Sequence, residues 1–305
     1  MNQLAIADIP VSEVAPEFEG PSRWHADLEL QFELVERGCR LARNRHSGPL
    51  YVQKPFYPEG RDLAHVYLLH PPGGLVSGDR LDIRVRVDAG ARALVTTTGA
   101  GRVYRARSDG LLQSQNTVLQ VAAGASLEWL PLENIAYPGA NGAMYTRVDL
   151  ARGAHFAGWE ITSLGLPARD ETFASGRLQQ RLEIFREGIP LLVESLCVDG
   201  CALSPANSPI LSAGAGLQRL PVNGLFVLGP FERAPETELL EQCREQMAAH
   251  DKHGLAGITL VSEMLVVRAL GRCAFEVRAL FGELWELLRP ALLQREACAP
   301  RIWRT

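Results

Sequence analysis

Asp82-Ile83-Arg84-Val85-Arg86-Val87-Asp88 runs into Ala89-Gly90-Ala91 and then Ala93-Leu94-Val95. Ile83, Val85 and Val87 alternate with charged residues, which is the two-residue period of a half-buried strand. Gly90 then supplies a turn, because a residue without Cβ takes a positive φ at no steric cost. The pattern recurs. Val121-Ala122-Ala123-Gly124-Ala125 leads into Leu127-Glu128-Trp129, and Leu150-Ala151-Arg152-Gly153-Ala154 leads into Phe156. The three glycines are 34 and 29 residues apart. That spacing suits β-units stacked on one another, and three separate hairpins with the same turn chemistry fit it equally. Trp24 to Leu34, Asn116 to Val121, Gln179 to Phe185 and Pro190 to Val198 also read as strands.

Helical periodicity comes late. After Pro235, a good first helical residue, Leu239, Leu240, Cys243 and Met247 share a face, and the helix is expected to end before Gly254. Val277, Leu280, Phe281, Leu284, Leu287 and Leu288 form a second stripe, which Pro290 is expected to stop. Ile258 to Leu270 between them reads as a long strand or hairpin, and residues 200 to 216 read as a loop. The expected fold is mainly β: a stacked antiparallel or solenoid-like β body with two α-helices near the C-terminus. No break in composition divides the chain, so residues 1–305 read as a single domain, with 1–23 expected to be flexible.

The 305 residues are 47% hydrophobic and 22% charged, with a net charge of −4. These are ordinary values for a globular protein, and the acidic balance argues against a nucleic-acid partner. No apolar run reaches the ~18 residues of a membrane span, and no positive n-region precedes an apolar stretch as in a secretory signal. A cytoplasmic location is therefore expected, with no membrane partner. The six cysteines include Cys197 and Cys201, but no second such pair, and a structural zinc site needs about four ligands. The chain has no P-loop, no Gly-x-Ser-x-Gly elbow and no His-Glu-x-x-His pair. His250 and His253 read as a solvated helix end rather than a metal site.

Two segments are unusual. Leu68-Leu69-His70-Pro71-Pro72-Gly73-Gly74-Leu75-Val76-Ser77-Gly78-Asp79 is a sharply turned, rigid loop in which only His70 and Asp79 can hold a cation. In Leu127-Glu128-Trp129-Leu130-Pro131, Glu128 faces away from Trp129, and a carboxylate in a buried strand needs a counter-charge or a cation. Glu160 follows Trp159 in a comparable way, and Glu171 and Glu194 flank another strand-rich stretch. Each glutamate alone is well explained as a solvated strand face; together they allow a polar passage lined with oxygen donors inside a β body.

At these segments the chain resembles the UreD (also called UreH) family of urease accessory proteins. The resemblance rests on Pro55-Phe56-Tyr57-Pro58-Glu59-Gly60, on His70-Pro71-Pro72-Gly73-Gly74 through Gly78-Asp79, and on Thr96-Thr97 with Gly99-Ala100 and Tyr104-Arg105. It continues through Leu127-Glu128-Trp129-Leu130-Pro131, Trp159-Glu160, Glu171-Thr172-Phe173, Gly188-x-Pro190-Leu191-Leu192-x-Glu194, Trp285-x3-Arg289-Pro290 and Pro300-Arg301-Ile302-Trp303. The matches run in order from about residue 24 to the C-terminus. Ser77, Thr98, Leu166, Ser195 and Ala64 depart from the usual residues of the family. The resemblance implies a non-enzymatic scaffold that binds a UreF-type partner and through it a nickel-carrying UreG-type GTPase, docks on apo-urease, and lets nickel pass toward the active site.

On that reading no cofactor is tightly bound. Ni2+ is held only transiently, with Glu128, Glu160, His70 and Asp79 as candidate contacts, and Tyr104, Arg105 and Trp129 are candidate contacts for protein partners. Glu128→Ala is then expected to lower urease activation without unfolding the chain. The alternative from a different class is a β-solenoid carbohydrate-active hydrolase that uses Glu128 and Glu160 as its paired acids, ~5 to 9.5 Å apart.

Overall fold

The computed structural model describes residues 24–200, 209–250 and 254–304. The expectations for residues 1–23, Cys201 and His253 lie outside them, as do residues 201–208 of the loop expected at 200 to 216; within the rest of that expected loop, Pro209–Ser212 is a short helix. The described strands are β1 (Trp24–Val35), β2 (Gly38–Ser47), β3 (Tyr51–Val52), β4 (Ala64–Leu69), β5 (Asp79–Val87), β6 (Arg92–Thr97), β7 (Gly101–Val103), β8 (Gln113–Val121) and β9 (Ser126–Trp129), then β10 (Asn134–Ala136), β11 (Asn141–Leu150), β12 (His155–Leu166), β13 (Glu171–Thr172), β14 (Gly176–Arg186), β15 (Ile189–Gly200), β16 (Val222–Gly229), β17 (Gly254–Val261) and β18 (Met264–Gly271). The helices are α1 (Pro209–Ser212), α2 (Thr237–Ala249) and α3 (Ala274–Leu293). None of the described helices is long and apolar enough to cross a membrane.

The strands form two sheets. Sheet A has the order β15-β14-β11-β8-β5-β1-β2, and the main path of sheet B runs β17-β18-β16-β12-β9-β6-β4-β3. The three glycine turns do not make hairpins. Each carries the chain from a strand of sheet A (β5, β8, β11) to one of sheet B (β6, β9, β12), and the strands stack parallel within each sheet. The solenoid-like arrangement therefore holds in the centre, and the described antiparallel pairs lie around it: β1 with β2, β14 with β15, β3 with β4, the short β13 with β12, and β12 through β16 and β18 to β17. The turns also stack, since Ala122 N–H donates to Val87 O and Ala151 N–H to Val121 O, both at 2.9 Å. Gly90, Gly124 and Gly153 have φ of 71°, 67° and 72°, the left-handed region in which a side chain is strained.

Alternation along each strand makes two cores. Leu28, Val85, Leu119, Val148 and Ile184 of sheet A meet Val66, Val95, Trp129 and Phe156 of sheet B. The other face of sheet B presents Trp159, Phe226 and Val267 to Phe281, Leu284, Trp285 and Leu288 of α3. Trp159 lies 5.5 Å from Phe226, edge to face, and 5.3 Å from Trp303, ring centre to ring centre. Burying each such side chain contributes roughly 1.5–3 kcal/mol, which is ample to hold a helix layer on the sheet.

Two local expectations need correction. Pro235 precedes α2, whose first residue is Thr237. Pro290 does not stop α3, which runs on to Leu293. A proline interrupts the helical ladder at its own missing N–H, but this one sits in the last turn. Beyond it Leu292 is buried, and Gln294 closes the helix in a left-handed conformation with its N–H on Pro290 O.

Candidate functional site

Glu160 sits on β12 with its side chain between the two sheets. It accepts a 2.6 Å hydrogen bond from Thr146 Oγ1 on β11, across the gap. Two cavities meet there. One, of about 380 Å³, is lined by Glu160, Gln180, Glu194, Asn223 and Arg268 among others. The second, of about 200 Å³, is lined by His70, Arg102, Gln115, Thr146, Glu160 and Gln180 among others. Glu160 and Gln180 border both. Burial disfavours the charged form of Glu160 and outweighs the Thr146 hydroxyl, pushing the carboxyl up to about 7. The buried Gln180 Oε1 and His70 Nε2 have no hydrogen-bond partner among the described residues. Buried polar atoms without a protein partner suit a hydrated lining.

The structure brings His70 and Glu160 to one cavity. Burial pushes the His70 imidazole down, and the negative charge of Asp79 pulls it the other way. Asp79 is committed locally: its Oδ2 accepts from Val76 N–H at 2.8 Å, and its own N–H donates to Val76 O at 2.9 Å, closing the turn. Ser77, one of the departures from the family pattern, accepts at Oγ from Arg107 N–H at 2.7 Å and ties down the neighbouring loop.

Glu128 lies elsewhere. β9 pairs with β12 so that Trp129 is opposite Gly158. Trp159 therefore falls one step out of register with Trp129 and points to the other face of the sheet. Trp129 faces the inter-sheet core and Glu128 the helices; Trp159 faces the helices and Glu160 the inter-sheet space. The two glutamates thus point away from each other through sheet B, and the paired-acid hydrolase loses its geometry. Glu128 is 1% exposed and fully engaged. Arg289 donates to it from Nε at 3.0 Å and Nη2 at 2.9 Å, and Trp285 Nε1–H donates at 2.7 Å. Arg289 also forks onto Glu59 with two 2.8 Å bonds, and His65 Nε2 lies 2.7 Å from Glu59 Oε1. Burial alone would raise the Glu59 carboxyl; bonds from His65 and Arg289 outweigh it and hold it at about 2. This knot fastens α3 to sheet B, so Glu128 is not a free cation ligand.

Sequence reasoning missed Arg289, Glu59 and His65 as a unit. The available signal was an arginine four residues after Trp285, beside the apolar stripe of α3, where a buried charge requires a partner. Among the candidate partner contacts, Trp129 is corrected: at 4% exposure it belongs to the inter-sheet core and lines the second cavity. Arg105 is exposed, and half-buried Tyr104 packs 5.1 Å from the Tyr137 ring.

Two stacked β-sheets, α2 and α3 on one outer face and polar cavities at a single shared carboxylate define a β scaffold with an internal polar lining. The chain belongs to the UreD urease accessory protein family, whose model matches residues 25–304. It is 47% identical to the urease accessory protein UreD of Marinomonas sp. (strain MWYL1), over 94% of this chain and 91% of that protein. It is 44% identical to that of Alcanivorax borkumensis, over 92% of each chain, and 39% identical to that of Hahella chejuensis, over 94% of this chain and 92% of the other.

Proposed function

We propose that this chain is a non-enzymatic urease maturation factor that acts in the cytoplasm. It joins UreF- and UreG-type partners to apo-urease, and Ni2+ crosses it as cargo through the space between the two sheets. One observation supports this reading: Glu160 and Gln180 border both cavities, so the two share one carboxylate. His70 stands on the second cavity, and Glu194 borders the first with Arg268 as its partner. Nickel(II) accepts imidazole and carboxylate donors, and donors spread along a route, rather than gathered at one point, hold an ion weakly enough to release it. A Glu160 carboxyl near neutrality can exchange a proton for a passing cation without stranding a charge between the sheets.

The test is urease produced with Glu160→Gln in place of the wild-type chain. The variant keeps the size and hydrogen-bonding capacity of the side chain but loses its charge. Urease subunits should still assemble with the accessory proteins, while their nickel content and activity fall severalfold. Full nickel loading by Glu160→Gln would remove this route.

A further inference from the structure

We propose that His25, Asp27, Asp82 and Asn116 form a binding site for a first-row divalent cation such as Zn2+ or Ni2+ on the outer face of sheet A. The site lies on the opposite side of that sheet from the inter-sheet cavities, so it stands apart from the route argued above. Ligand atoms of His25, Asp27 and Asp82 all lie within 4.8 Å of one another. His25 Nε2 is 2.5 Å from Asp82 Oδ2 and 3.2 Å from Asp27 Oδ2. The parallel register fixes this grouping, because Asp27 is directly opposite Asp82 and Asp82 directly opposite Asn116.

Two carboxylates face to face across neighbouring strands repel, and Asp82 is only 4% exposed although it sits on the outer face. Asn116 supplies a separate observation. It is 5% exposed, its Nδ2 donates to Asp82 Oδ1 at 2.9 Å, and its buried Oδ1 has no partner among the described residues. A half-turn of the amide aims that oxygen at the carboxylate. The set becomes one imidazole nitrogen, two carboxylates and an amide oxygen, a mixed donor group that suits zinc, nickel, cobalt or copper better than magnesium or calcium. Arg80 holds Asp82 Oδ2 at 2.9 Å and Arg84 holds Asp27 Oδ1 at 3.3 Å. Both arginine side chains are well exposed, so a dication can take over their acceptors while they turn to solvent.

The test titrates the full-length chain with Co2+, read by its visible bands, and with Zn2+, read by calorimetry. The wild type should bind one cation that His25→Gln and Asp82→Asn each weaken by about tenfold or more, while Glu160→Gln keeps it. His25 is nearly half exposed, so His25→Gln is the decisive variant if Asp82→Asn impairs folding. Absence of binding by the wild type, or unchanged binding by His25→Gln, overturns the site. Loss of the cation in Glu160→Gln also overturns it, since the ion would then belong between the sheets.

Discussion

Arg289 on the last helix and Glu128 on β9 form a fully buried ion pair, joined by Nε and Nη2 to one carboxylate. A charge in that position has no water to turn to when its partner is removed. Glu128→Ala should therefore destabilise the protein by about 3–5 kcal/mol, measured as a lower urea midpoint at unchanged slope. This replaces the expectation of a folded variant with impaired activation. Arg289→Met should cost a similar amount, and Glu128→Leu combined with Arg289→Met should recover part of it.

Glu160 sets a pH dependence of known sign. Its folded value of about 7 lies above its ordinary value of 4.5, so between those limits the folded chain holds a proton that the unfolded chain releases. Its contribution is complete below pH 4.5 and is lost as pH rises toward about 7. The loss is at most about 3 kcal/mol. Urea midpoints compared across that window should fall for the wild type, and the slope should be smaller for Glu160→Gln.

Glu59 acts in the opposite direction. Its folded value of about 2 lies below the ordinary 4.5, so its contribution is present above 4.5 and disappears as acid brings the pH down to about 2. Tryptophan emission from Trp285 and Trp303, which pack 5.6 Å apart on the helix side, reports the detachment of α3. Glu59→Gln should be less stable at neutral pH and less sensitive to acid than the wild type.

Gly124 isolates the cost of turn geometry. Its φ is 67°, and a Cβ added there meets nothing within 4 Å. Gly124→Ala should lower stability by about 1–2 kcal/mol through backbone strain alone, and Gly124→Asn by less, because asparagine tolerates the left-handed region. The comparison is read from urea midpoints of the two variants.

Much of the β body was legible because its strands alternate strictly: Ile83, Val85 and Val87 alternate in the sequence and lie buried in the inter-sheet core. The glycine turns were legible as turns but not as sheet-to-sheet crossings, because a strand–turn–strand pattern does not specify which strands pair. The Trp–Glu pairs at 128–129 and 159–160 looked alike in sequence and proved opposite, since one residue of register reverses the side on which a carboxylate emerges. Glu160 stands out in the sequence as a carboxylate beside a large apolar residue, and it lines both cavities. The knot around Arg289 is not legible there, because Glu59, Glu128 and Arg289 come from three distant segments that only the packing of α3 on sheet B brings together. Pro290 reads locally as a helix stop, but the burial of Leu292 beyond it carries α3 on to Leu293.

The pairing of Glu128 with a residue 161 positions later also bears on how the chain comes off the ribosome. At roughly 5–20 residues per second, β9 is made on the order of ten seconds or more before the guanidinium that neutralises it. Until then the nascent sheet keeps a hydrated carboxylate where the helix layer will sit. Final closure therefore waits for the end of translation, and chains cut short before residue 289 leave that face open to proteases and to self-association.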